Sequence, residues 1–149
     1  MTEKLFTKAV KYGAKIRFAI SGPSGSGKTY TALRMAKVLA EGGNVAVIDS
    51  EHGSSAKYAD EFGFDICEVT PPHHPDRYVA AMQAAVAEGY SVLVVDTLSH
   101  AWFGEGGLLE LVDQFAHAYK TKDSFRAWKD ATPIQTRMVE AILGLPVHT

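Results

Sequence analysis

Gly22-Pro23-Ser24-Gly25-Ser26-Gly27-Lys28-Thr29 decides how this chain is read. The stretch fits G-x-x-x-x-G-K-[ST], the loop that cradles nucleotide phosphates. Gly22 and Gly27 allow a tight turn and a close approach of phosphate that a Cβ would obstruct. The amides of Ser24 to Thr29 can then converge as an anion nest, with Lys28 as a mobile charge and the Thr29 hydroxyl placed for Mg²⁺. Tyr30 follows at the same helix start and is grouped with the loop as nucleotide-binding. The helix that begins here aims its positive end at the same anion.

The flanks supply the context the motif demands. Upstream, Ile16-Arg17-Phe18-Ala19-Ile20 reads as a buried strand, so a first strand is expected over residues 16–21. Downstream, Ala32, Met35, Ala36, Leu39 and Ala40 recur at helical spacing until Gly42-Gly43. A Gly/Ser linker matching the motif by chance would lack two periodic apolar neighbours.

Further along, strand and helix patterns alternate. Val45-Ala46-Val47-Ile48-Asp49 is a β-branched run ending in the polar cluster Asp49-Ser50-Glu51-His52-Gly53. Ser54 to Phe62 reads as a short helix and Ile66 to Val69 as a short strand. Pro75 starts a helix whose stripe is Tyr78, Val79, Met82, Ala85 and Val86. Ser91-Val92-Leu93-Val94-Val95-Asp96 is continuously apolar before its acid, as strands buried on both faces are. A glycine-rich loop at 104–107 precedes a helix carrying Leu108, Leu111, Val112, Phe115 and Tyr119. Lys120 to Asp130 is polar and expected to be irregular. Thr132-Pro133-Ile134-Gln135 has the form of a capping box and is expected to open the last helix, with Ile134, Met138, Ala141, Ile142 and Leu145 inward. This alternation implies an α/β fold with a mostly parallel sheet between helical layers. The expected organisation is a basic leader, residues 1–15, and one P-loop NTPase domain, residues 16–149.

Composition sets bounds on function. The chain has 149 residues, is 46% hydrophobic and 21% charged, and carries a net charge of −2, so no global basic footprint marks it for nucleic acid. Lys4, Lys8, Lys11, Lys15 and Arg17 nevertheless face only Glu3 at the N-terminus, as a solvated face or a local contact with nucleic-acid phosphates. No apolar run approaches a membrane span, and no signal-peptide core opens the chain. Cys67 is the single cysteine, which excludes an internal disulfide and suits a reducing cytoplasm.

Leu93-Val94-Val95-Asp96 is an apolar strand ending in an acid, the Walker B pattern, and Asp96 is the expected Mg²⁺ partner of Thr29. Thr97 occupies the position where many ATPases carry a second acid, so the water-activating role falls to Glu51. At this point the chain resembles the RecA family, which has its catalytic glutamate in an I-D-x-E-H stretch. Ile48-Asp49-Ser50-Glu51-His52 matches it, and Val94-Val95-Asp96-Thr97 resembles the family's Walker B segment. A tyrosine seven residues past the glutamate stacks on adenine in that family, and Tyr58 has this spacing. The family's aspartate near the base is Ser55 here. The run from Gly22 to about Leu145 looks closer still to core-only RecA-like ATPases of phages and prophages, described as AAA-family ATP-binding proteins and linked in part to recombination or single-strand annealing.

The resemblance implies an Mg²⁺-dependent ATPase with Glu51 and Lys28 as catalytic residues, serving phage DNA recombination or annealing in the host bacterial cytoplasm. ATP and Mg²⁺ are the implied cofactors, and single-stranded DNA and further copies of the chain are the implied partners, with no membrane. It also implies a strand after the last helix, between the loop strand and the Walker B strand. The sequence reaches only Pro146-Val147-His148-Thr149 there, so C-terminal strands are expected to be missing. Two alternatives are a small-molecule or nucleotide kinase, which would need an arginine-bearing lid that the sequence does not offer, and a nucleotide-binding module without turnover. His52, His73, His74 and His100 lack a metal-ligand spacing on one element. His100 reads as packed or solvated rather than phosphate-sensing. Trp102 and Phe103 read first as core and second as a DNA-stacking pair, and Arg126, Trp128 and Lys129 share that ambiguity.

Overall fold

The computed structural model describes residues 6–10, 13–120 and 124–149. The helix considered for the leader falls partly outside these residues; 6–10 and 13–15 are exposed and without regular structure. In chain order come α1 (Lys28–Leu39), β1 (Val45–Asp49), a 3-10 turn (Ser54–Tyr58), α2 (Ala59–Phe62), β2 (Asp65–Glu68), α3 (Pro75–Ala87), β3 (Val92–Asp96), α4 (Ser99–Phe103), α5 (Leu108–Ala118) and α6 (Ser124–Gly144).

The three strands form a parallel sheet in the order β2-β1-β3. β1 is central, all five of its residues are buried, and its alternate side chains serve two different cores. Val45 and Val47 face α1 and the Phe62 region, whereas Ala46 and Ile48 join Tyr78, Met82 and Ala85 of α3 together with Leu93 and Leu145. β3 divides likewise, with Val92 and Val94 on the α1 side and Leu93 and Val95 on the α3 side. Helices therefore cover both faces, giving a three-layer α/β fold of the RecA-like P-loop type. β2 is the exposed edge strand.

Two expectations about elements are corrected. Residues 16–21 form no strand, and Ile16 and Phe18 are 44% and 57% exposed. Among the described residues the segment's only sheet-like pairing is with Thr149: Phe18 N–H donates to Thr149 O at 2.9 Å, and Thr149 N–H to Ile16 O at 3.0 Å. His148 in turn bridges to Val92, and Leu93 N–H donates to His148 O at 2.8 Å. The final residues thus lie between the loop segment and β3, and one pairing partner is too little to hold 16–21 as a strand. Arg17 strengthens this junction. Its guanidinium donates to the carbonyls of Ile142 (2.7 Å), Val147 (2.7 Å) and Leu145, satisfying groups that the end of α6 would leave open.

The second correction concerns α6. It spans Ser124–Gly144, so 124–130 is helical rather than irregular, residues 121–123 lie outside the described residues, and Pro133 lies inside the helix instead of at its first turn. Thr132 does not cap; its hydroxyl donates to the carbonyl of Trp128 one turn back at 2.7 Å. The first half of α6 is held by packing. Ala127 and Ala131 are fully buried against Leu108 and Val112 of α5, and the small side chains let the two helices approach closely. Met138, Ala141 and Ile142 in the second half pack onto the α3 core.

Candidate nucleotide site

The loop owes its shape to two left-handed glycines, Gly25 (φ 75°) and Gly27 (φ 82°), a conformation that costs glycine little. Gly27 is also the N-cap of α1, so no side chain covers the first amides of the helix. At Gly22 a Cβ would stand 2.8 Å from Ser26 Oγ, so a larger residue there would make that hydroxyl turn away. Lys28 Nζ donates to the carbonyl of Pro23 at 2.8 Å across the loop, which holds the ammonium over its mouth.

Thr29 and Asp96 meet directly. Thr29 Oγ1 donates to Asp96 Oδ2 at 2.6 Å, a short charge-assisted bond between the first turn of α1 and the C-terminal tip of β3. Asp96 is 9% exposed. Gly22, Lys28, Thr29 and Asp96 open onto one cleft of about 480 Å³, floored by Ala32, Met35 and Leu39 of α1 and lying between residues 17–22 and β3. Ala32 and Met35 of the α1 stripe therefore face this cleft, while Leu39 also packs against the core of Ala36, Val45 and Val92.

The β1 tip lies beside the β3 tip: Asp49 pairs in register with Asp96, and Ser50 N–H donates to Asp96 O at 2.8 Å. Glu51 follows on this rim with an exposed side chain, but it does not line the cleft. Tyr58 is half-buried and packs edge-on against Tyr30, with ring centroids 5.7 Å apart, in a cluster with Leu33, Val47 and Phe62. Tyr30 is further tied to Glu61, its hydroxyl donating at 2.9 Å.

Sequence reasoning missed a polar junction behind the tips. Ser50, 2% exposed, donates through Oγ to Thr97 O at 3.0 Å and accepts from Thr97 N–H at 3.1 Å, with His100 Nδ1 at 3.0 Å. The ring of His100 lies 5.0 Å from that of His73, and the amide of His73 donates to Glu105 O at 2.6 Å. His73 is held below the ordinary imidazole pKa, first by burial and then by the charges of His100, Arg77 and His52, with Glu105 opposing them. The buried Tyr78 hydroxyl is pushed up by desolvation. His100 is thus packed, and His74 caps α3, its Nδ1 accepting from Asp76 N–H at 3.1 Å. The signal that could have revealed the junction is a serine directly after a buried strand, where alternation favours an aliphatic residue. Trp102 and Phe103 are corrected as core residues: they are 38% and 62% exposed, and Trp102 lies against Trp128 with ring centroids 5.9 Å apart.

The donor set suits a nucleotide polyphosphate with a hard cation. Unobstructed helix amides, an ammonium and a glycine turn serve the anion. A hydroxyl and a carboxylate oxygen within 2.6 Å of each other supply the oxygen ligands that Mg²⁺ prefers.

A phosphate-loop turn and an acid-tipped neighbouring strand, set on a parallel sheet, define a P-loop nucleotide-binding domain of RecA-like type. The AAA domain family model matches residues 14–149, and the chain belongs to that family. It is similar to Protein RecA of Macrococcus caseolyticus, 37% identical over 84 residues, which covers 54% of this chain and 24% of the relative. Protein RecA of Listeria welshimeri and of Listeria ivanovii are each 36% identical over 84 residues with the same coverage. The match thus spans about a quarter of the length of these curated relatives. No solved structure matches the chain. Among the described residues no helix is long and apolar enough to cross a membrane.

Proposed function

We propose that this domain binds ATP with Mg²⁺ and hydrolyses it, and that the turnover serves recombination or annealing of single-stranded DNA in a phage setting. The observation that carries the ATP half is the 2.6 Å bond from Thr29 to Asp96 beside the glycine-capped start of α1. Bound Mg²⁺ would neutralise phosphate charge and orient the terminal phosphoryl group. Thr29 and Asp96 would hold it, and the amides of Ser24 to Thr29 would hold the phosphates together with Gly22 and Pro23. Lys28 would leave Pro23 O and donate to phosphate oxygens as negative charge builds on them. Glu51 would orient the attacking water and accept its proton. Tyr30, in the first turn of α1, and Tyr58 packed against it would offer aromatic surface for the base.

The DNA half rests on the resemblance to the RecA family and on the exposed aromatic pair Trp102 and Phe103, with Trp128 beside Trp102. Bases stack on such surfaces without sequence preference. Assembly of several copies follows from the same resemblance. The test is phosphate release from ATP with and without single-stranded DNA, in the unaltered chain and in Trp102→Ala. The proposal expects Mg²⁺-dependent release, raised by DNA in the unaltered chain and less so in the variant. Phosphorylation of an added acceptor without phosphate release would instead establish a kinase, and nucleotide binding with neither would establish a module without turnover.

A further inference from the structure

We infer that Asp49 is a positioning residue for Glu51, an inference that rests on the role proposed for Glu51 above. Asp49 closes β1 and is only 1% exposed. The next six residues fold back around its carboxylate. Oδ1 accepts from Glu51 N–H at 2.7 Å and Gly53 N–H at 3.2 Å; Oδ2 accepts from Ser55 N–H at 3.0 Å and from Ser55 Oγ. No ion pair reaches this carboxylate among the described residues. Three backbone amides and a hydroxyl stand in for the water it has lost, which a buried carboxylate requires.

The loop does not take this shape by default. His52 (φ 55°) and Gly53 (φ 74°) are both left-handed, a conformation uncommon for a residue that carries a Cβ. The other backbone bonds of the segment are local: Ser54 N–H to Glu51 O at 3.2 Å, and Ala56 N–H to Gly53 O at 3.1 Å. The Asp49 carboxylate is therefore what fastens residues 51–55 to the sheet. Its register partner is Asp96, so the same strand end fixes the glutamate backbone against the proposed metal side of the site. Because Glu51 is exposed and its carboxylate has no hydrogen bond or ion pair among the described residues, its placement comes from its backbone.

Asp49→Asn keeps the size and the Oδ1 acceptor, but its amide nitrogen faces the N–H of Ser55, donor against donor. Ser55→Ala removes only the hydroxyl and is the milder second variant. The experiment measures kcat and KM for ATP, the affinity for a fluorescent ATP analogue, and the melting temperature in both variants. It also measures residual phosphate release, by radiolabelled ATP, in Glu51→Gln and in the Asp49→Asn/Glu51→Gln double variant. A displaced catalytic group of about 1 Å lowers turnover on the order of 100-fold. Asp49→Asn is expected to lower kcat about 10- to 100-fold with analogue affinity unchanged within about twofold, Ser55→Ala to lower kcat less, and the double variant to match Glu51→Gln. Wild-type kcat in a folded Asp49→Asn, parallel loss of affinity and kcat, or a further full loss in the double variant would each overturn the inference alone. Wild-type turnover in Glu51→Gln, or no turnover in the unaltered chain, would overturn the functional reading and the inference with it.

Discussion

Replacing Thr29 by valine keeps the shape of the side chain and deletes the hydroxyl that joins α1 to β3. In the nucleotide-free protein this removes a 2.6 Å bond to a carboxylate that is 9% exposed. A hydrogen bond to a charged group is worth about 1.5–3 kcal/mol. Asp96 borders the open cleft, so water can take the place of the lost donor, and the expected net cost is about 1 kcal/mol. For a chain of this size that lowers the melting temperature by about 2–4 °C. The larger effect is expected on metal-dependent binding. A ligand present at about 100 times its Kd stabilises the folded state by about 2.7 kcal/mol, and each tenfold loss of affinity removes about 1.4 kcal/mol of that. Thermal shift with ATP, once with Mg²⁺ and once with chelator, should show Thr29→Val losing at least tenfold in affinity with the metal and little without it. Equal losses under both conditions would refute Thr29 as a metal ligand.

Four further outcomes are expected. Lys28→Ala should abolish detectable ATP binding by calorimetry, and unchanged affinity would remove Lys28 from the phosphate site. Glu51→Gln should retain ATP affinity while phosphate release falls to background in a coupled assay. Met82→Ala empties a fully buried position under the sheet and should cost about 2–5 kcal/mol in urea unfolding. The imidazole of His73 binds its proton less readily folded than unfolded, so its contribution to stability is full above the unfolded pKa of 6.5 and is lost as pH falls through the lower folded value. Unfolding free energies from pH 7.5 to 5 should therefore fall less steeply in His73→Gln than in the unaltered chain.

The glycine turn before α1 and the three strands β1–β3 were legible because they are local patterns. Glycines at fixed offsets, a continuous aliphatic run and an acid at its end need no knowledge of neighbours. Residues 16–21 misled because aliphatic content predicts burial only where a partner lies alongside, and among the described residues Thr149 alone pairs with them backbone to backbone. The start of α6 was masked by Thr132-Pro133, a strong local start signal. The stripe Ala127, Ala131, Ile134, Met138 and Ala141 carries the same helix through it, but small alanines give a weak hydrophobic signal and reveal themselves only once α5 is in place. The junction of Ser50, Thr97 and His100 joins residues nearly 50 positions apart, which no local window reaches.

β1 is aliphatic toward both helical layers, so hydrophobicity alone does not tell one of its faces from the other. What a shifted strand could not reproduce is the meeting of Ser50 with the Asp96 carbonyl and the Thr97 peptide. Polar atoms at the rim, beside the candidate nucleotide cleft, therefore add to the core in selecting the alignment of the sheet. A substitution there would weaken that selection as well as any chemistry the rim supports.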